Sequence, residues 1–168
     1  MCAFELHRRY GMRKFIVVAP SVAICEGVLK VMRMTERHLL DLYGNSAYRY
    51  YVYDSRAPLQ VRQFALSDGV EIMVMTIDSF NRASNIFTQN TDCLQGETPL
   101  NLVQATRPIL ILDEPRNVES ERRVRALSVL DPLFALRYCA ALRNPRNVVY
   151  RLTPEDPTGR REMTAQTS

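Results

Sequence analysis

The stretch Phe15-Ile16-Val17-Val18-Ala19-Pro20-Ser21 decides the fold class of this chain. Its first five residues form a compact apolar run rich in β-branched side chains. Pro20 closes the run, which predicts a buried strand that ends at a loop. Ser21 is a favoured N-cap residue and begins a long helical pattern that runs to about Tyr43, before Gly44-Asn45. A buried strand followed at once by a long helix is typical of α/β proteins.

The same alternation continues along the chain. Further strands are predicted at Tyr48–Tyr53, Val70–Ile77, Ile109–Leu112 and Phe134–Ala140, with a sixth at 148–150. Helices are predicted from Pro58 to about Asp68-Gly69 and over 119–130, and a helix with a long loop over 81–97. The strands are almost continuously apolar, so we expect an α/β fold with a mostly parallel sheet flanked by helices.

Composition and charge limit the kinds of protein this chain can be, but they do not identify its function. The chain has 168 residues, 46% of them hydrophobic, and a formal charge of +4. This charge is compatible with nucleic-acid binding, but on its own it favours an ordinary solvated surface. The sequence has no membrane-spanning run and no signal-peptide pattern, so the expected location is cytoplasmic. The four cysteines are widely spaced and predict free structural thiols rather than a zinc site.

The residues that carry chemistry are expected where the strands end. In parallel α/β sheets, ligands bind beyond the carboxyl ends of the strands, which here means just after Ala19, Met75, Leu112 and Tyr138. Asp113 and Glu114 follow one of these strands directly. In nucleotide-hydrolysing motors an Asp at such a position helps to hold Mg²⁺. The alternative is that Asp113 caps the next turn and Glu114 is solvated.

Four segments together resemble the Res (restriction) subunits of type III restriction enzymes. Lys14–Ile24, with the following Gly27–Lys30, resembles motif Ia, and Met73–Asn81 resembles the next conserved block of that family. Gln104–Pro115 resembles the Walker B, or motif II, segment. Leu136–Ala141, followed by Arg143-Asn144-Pro145, lies at the place of motif III. The likeness runs from about His7 to Pro154. It implies that residues 1–153 form a partial RecA-like motor domain of a superfamily 2 helicase, of the P-loop NTPase type. Residues 154–168, rich in Pro and charge, predict a disordered tail.

The resemblance also implies roles for single residues. Asp113 would bind Mg²⁺ on ATP and Glu114 would position the attacking water. Pro20, Ser21 and Thr76 would lie near the DNA backbone. The segment Cys139-Ala140-Ala141 would couple the nucleotide state to DNA. The implied partners are double-stranded DNA and the methyltransferase (Mod) subunit, and the implied cofactors are ATP and Mg²⁺.

Three departures from the family pattern limit what this chain is expected to do alone. It contains no G-x-x-x-x-G-K-[ST] phosphate loop, Arg116 stands where the family has Gln, and Cys139-Ala140-Ala141 stands where the family has Ser-Ala-Thr. We therefore expect a motor fragment that is inactive alone, without ATPase activity, and that does not bind ATP tightly. The alternative is a non-catalytic remnant, or a docking or DNA-binding module. Because the phosphate-loop unit is missing, an exposed sheet edge and self-association are also expected.

Overall fold

The computed structural model describes residues 1–44, 48–54, 56–76, 97–113 and 127–138. Four helices and five strands lie in these ranges. In chain order they are α1 (Cys2–Tyr10), β1 (Lys14–Ala19), α2 (Val22–Leu42), β2 (Tyr48–Val52), α3 (Pro58–Leu66), β3 (Val70–Thr76), α4 (Pro99–Ala105), β4 (Ile109–Asp113) and β5 (Phe134–Tyr138).

The five strands form one sheet in the order β2-β3-β1-β4-β5, and every pair is parallel. The predicted α/β fold with a parallel sheet is confirmed, and it is consistent with a partial RecA-like domain. Since β1 pairs with both β3 and β4, these strands are contiguous. An additional strand can therefore join only at the outer edge of β2 or β5. Neither edge has a partner strand among the residues that the structure describes.

Helices cover both faces of the sheet because alternate strand residues point to opposite sides. On one face, Phe15 and Ile72 pack with Phe4 of α1 and Leu39 of α2. On the other, Ile16 and Met73 join a cluster that also contains Val61 and Phe64 of α3 and Val103 of α4. The nearly continuous apolar pattern of the strands follows from this double coverage.

Helix α1 was not predicted from the sequence. It ends at Gly11, which adopts a left-handed conformation with φ 69°, and Glu5 forms ion pairs with Arg8 and Arg9 one turn later. The i, i+3 and i, i+4 charge spacing and the C-terminal glycine are helix signals that were available in the sequence. Phe4 anchors the helix through ring contacts with Tyr43 and Tyr48.

The predicted strand and helix bounds agree closely with the structure where both exist. Helix α2 begins after Ser21, whose Oγ accepts a hydrogen bond from the Ile24 amide.

The tyrosines of the β2 region serve packing: Tyr48, Tyr50 and Tyr51 are half-buried and Tyr53 is buried. The predictions for 81–96, for most of 119–130, for 148–150 and for the tail at 154–168 fall outside the described residues, as do residues 139 and 140 of the fifth strand.

A row of three charged residues crosses the amino end of the sheet. Lys14, Glu71 and Arg49 are register partners on β1, β3 and β2. Glu71 is only 1% exposed, and its Oε1 accepts hydrogen bonds from Arg49 Nε at 2.9 Å and Arg49 Nη2 at 2.6 Å. Glu71 Oε2 is buried without a hydrogen-bond partner. Burial lowers the pKa of Lys14, whose ammonium donates to the Ser67 carbonyl. This row ties the edge strand β2 to the rest of the sheet.

Candidate functional site

The register of the sheet brings the predicted site residues to one edge. Ala19 pairs with Thr76, and Val18 pairs with Leu112, so the next residue, Asp113, lies level with Ala19. Asp113 in turn pairs with Tyr138. Thr76, Ala19, Asp113 and Tyr138 therefore form a single row at the carboxyl end of four adjacent strands. This is the edge where ligands bind in open parallel sheets.

The strand order also sets the spacing along this row. Neighbouring strands are about 4.8 Å apart, so the backbones of Thr76 and Asp113, with β1 between them, are about 10 Å apart. Ala19 lies between Thr76 and Asp113 in the row.

Ser21 is the most accessible of the residues predicted to face DNA. It is exposed and has extended backbone, with φ −152° and ψ 163°, and its Oγ caps α2 by accepting from Ile24 N at 3.4 Å. The hydroxyl proton stays available to donate to an anion. The first turn of α2 holds no acidic residue, so the positive end of this 21-residue helix is not neutralised by its own side chains.

The other two residues predicted to face DNA are less accessible. Pro20 is half-buried and directly precedes Ser21. Thr76 is 6% exposed and already takes part in an interaction within the protein. The structure therefore places all three at one end of β1 and β3, but it presents Ser21 and the amide groups of the α2 N-terminus more openly than the Thr76 hydroxyl.

Two further residues at this edge were not singled out from the sequence. Tyr138 is the last described residue of β5 and the register partner of Asp113. Burial, together with a hydrogen bond to Cys2 of α1, raises the pKa of Tyr138 to about 12. Tyr138 thus contacts the start of α1. Asp54 follows β2 at the same end, where its carboxylate accepts hydrogen bonds from Arg56.

Several predicted site residues lie beyond what the structure describes. Glu114, Arg116 and the segment Cys139-Ala140-Ala141 all fall outside the described residues. Among those that are described, no group of three or more His, Cys, Asp or Glu side chains is arranged to hold a metal ion.

Comparison with curated proteins gives three related sequences. The chain is 24% identical to the Res subunit of the type III restriction-modification enzyme EcoP15I of Escherichia coli, over 91% of this chain and 18% of the relative. It is 25% identical to the StyLTI Res subunit of Salmonella typhimurium, over 82% of this chain and 16% of the relative. It is 21% identical to the EcoPI Res subunit of Escherichia phage P1, over 91% of this chain.

The chain is similar to one part of the Res subunits of type III restriction enzymes. The resemblance found in the sequence motifs is confirmed, because the similarity to Res subunits extends over most of the chain and not over one motif alone. The chain spans less than one fifth of the length of these relatives. No protein-family model matches the chain. In the described part of the chain, no helix is both long enough and apolar enough to cross a membrane.

Proposed function

We propose that this Res-like chain supplies part of the ATP-dependent DNA motor of a type III restriction enzyme. The observation that carries the proposal is the alignment of Thr76, Ala19 and Asp113 at the carboxyl edge of a parallel sheet, in a chain similar to Res subunits over 91% of its length. Such a role implies a cytoplasmic location, double-stranded DNA as ligand and a Mod subunit as partner.

Within the complete motor, the row has two functional ends. The Asp113 end would hold Mg²⁺ and, with Glu114, face the nucleotide phosphates. The Ser21 end would contact DNA phosphates through a hydroxyl and the amide groups of a helix N-terminus, both of which are common phosphate donors in proteins that bind DNA. Ser21 follows β1 and Asp113 ends β4, so the two ends of the proposed site lie on neighbouring strands.

The nucleotide half of the proposal is tested by calorimetry with Mg·ATP. The chain as it stands should show no tight binding, because it lacks the amide cradle and lysine of a phosphate loop. A chimaera that joins the EcoP15I Res segment preceding the matched region to Met1 should bind Mg·ATP. Asp113→Ala in the chimaera should weaken binding by about 10-fold or more, equal to about 1.4 kcal/mol.

Two results would contradict the nucleotide proposal. The first is tight Mg·ATP binding by the unmodified chain that is lost in Asp113→Ala, since a phosphate loop would then be unnecessary. The second is a folded chimaera that binds Mg·ATP equally well with and without the Asp113 carboxylate.

The DNA half is tested with a fluorescent duplex and the variant Ser21→Asp. Aspartate is as good an N-cap residue as serine, so helix α2 keeps its cap. The added negative charge repels phosphate, and binding at low salt should weaken by about 5-fold, equal to about 1 kcal/mol. The matched control is Gln63→Glu, which adds the same charge on an exposed position of α3. Equal weakening in both variants would show that only net charge matters and would refute the assigned contact.

A further inference from the structure

The last residue of β5, Tyr138, is held differently from the ends of the central strands. Tyr138 is 48% exposed, whereas Ala19 and Thr76, at the same level of β1 and β3, are 1% and 6% exposed. β1 and β3 each pair with strands on both sides, but β5 pairs only with β4 among the residues that the structure describes. Burial and pairing therefore hold the end of β5 less firmly than the ends of β1 and β3.

A polar contact with α1 supplies an anchor at this strand end. A hydrogen bond joins the Tyr138 hydroxyl to the Cys2 thiol at the start of α1. Helix α1 is itself fixed on the protein, because Phe4 is 3% exposed and its ring contacts Tyr43 and Tyr48. The contact with Cys2 thus ties the exposed end of β5 to a helix that is anchored by other residues.

The anchored strand end is also the pairing partner of Asp113. Tyr138 pairs with Asp113 in register, whereas the pairing of β4 with β1 ends at Val18 and Leu112. Within the described part of the chain, the Asp113 backbone is therefore held in the sheet by its pairing with Tyr138. A displacement of Tyr138 would reach Asp113 directly through this pairing.

We propose that Tyr138 is a positioning residue for Asp113. Its hydrogen bond to Cys2 fixes the end of β5, and the paired end of β4 is fixed with it. In this role Tyr138 contacts neither the nucleotide nor DNA, and it acts only through Asp113. The inference rests on the proposed function, because Asp113 is the residue that would hold Mg²⁺ in that function.

The first test is amide hydrogen exchange of the full chain, measured residue by residue with NMR spectroscopy. Tyr138→Phe removes only the hydroxyl. Exchange at the carboxyl ends of β4 and β5 should become about 3-fold faster, equal to about 0.7 kcal/mol, because a thiol is a weak hydrogen-bond partner. The amides of Ile109 and Phe134, at the other end of the same strands, should keep their rates. The matched control is Tyr10→Phe, on a tyrosine of α1 that is 68% exposed, and it should change neither end.

Variants at Cys2 separate the hydrogen bond from a general loss of packing. Cys2→Ala should match Tyr138→Phe, and the two changes together should have no further effect. Cys2→Ser keeps a polar partner for the Tyr138 hydroxyl and should restore exchange rates close to those of the unmodified chain. Unchanged exchange in Tyr138→Phe, or additive effects of Cys2→Ala and Tyr138→Phe, would overturn the proposal.

The second test asks whether Tyr138 acts through Asp113. In the chimaera with the EcoP15I Res segment, Tyr138→Phe should weaken Mg·ATP binding by about 3-fold. In the Asp113→Ala background, the same change should have no effect. Equal weakening in both backgrounds would overturn the proposal, because Tyr138 would then act independently of Asp113. A chimaera that binds no Mg·ATP would contradict the proposed function instead, and the exchange experiment would then decide the role of Tyr138.

Discussion

Removing the Arg49 guanidinium is expected to destabilise the sheet far more than the surface position of Arg49 suggests. Arg49 is 46% exposed, but its partner Glu71 is 1% exposed and accepts both of its hydrogen bonds on Oε1. Arg49→Met keeps most of the aliphatic stem and removes only the charge and the donors. The Glu71 carboxylate would then be buried with Lys14 as its remaining cationic neighbour.

The magnitude follows from the burial of the two partners. Breaking a fully buried ion pair by removing one member costs about 3–5 kcal/mol, because the other charge is left without compensation. Water reaches the Arg49 side of this pair and can replace part of the lost solvation, so we expect about 2–3 kcal/mol. Since the pair links β2 to β3, the amides of β2 should also exchange faster with solvent.

The assay is urea unfolding followed by circular dichroism, with Arg56→Met as the matched control. Arg56 also pairs with a carboxylate, that of Asp54, but the two side chains are 89% and 40% exposed, and such a pair contributes at most about 1 kcal/mol. Adding Glu71→Gln to Arg49→Met should restore part of the lost stability by removing the buried charge. If Arg49→Met costs no more than Arg56→Met, the buried-carboxylate explanation is refuted.

Three further predictions follow from single residues. Burial raises the pKa of Tyr53 to about 12, above its usual value near 10. Between these two pH values the folded state keeps the Tyr53 proton that the unfolded state loses. The free energy of unfolding should therefore fall as pH rises from about 10 to 12, and Tyr53→Phe should lessen the fall in urea midpoint. Gly11→Ala should cost about 1 kcal/mol because φ is 69° with open space around the Cβ position, whereas Gly27→Ala inside α2 should stabilise by about 0.5–1 kcal/mol in thermal unfolding. Phe64→Ala should cost about 3–5 kcal/mol in urea unfolding, because the ring is fully buried between α3 and the sheet; a cost below about 1 kcal/mol would contradict this core position.

Local sequence patterns predicted the elements well wherever one pattern dominated. The apolar runs of β1, β3 and β4 are buried on both faces, so their patterns identified them without reference to the rest of the chain. Ser21 and Pro58 marked helix starts because caps and first-turn prolines act within a few residues. Helix α1 was missed, since Phe4 and Ala3 alone give a short apolar pattern and most of the helix is held by tertiary contacts with Tyr43 and Tyr48.

The positions of the candidate site residues were likewise predicted from local sequence, whereas their exposure depends on tertiary packing. Strand ends predicted Pro20, Ser21, Thr76 and Asp113 as site positions, because parallel strands place their carboxyl ends at one edge. The sequence could not show that Thr76 is buried while Ser21 is exposed, since burial depends on which elements pack over each strand. The assignments of Glu114 and of the segment Cys139-Ala140-Ala141 stay predictions.

By itself, the sequence determined the α/β class, the strands and the likeness to Res subunits, because all of these depend on residues close together in the chain. Only the tertiary structure decided the strand order β2-β3-β1-β4-β5, and with it the neighbours of each strand end. It also decided that Lys14, Glu71 and Arg49 share one row and that Val31 and Met34 of α2 stay exposed. The physical reason is that pairing and burial join residues far apart in the chain, and no local pattern records which distant surface a strand or helix will meet.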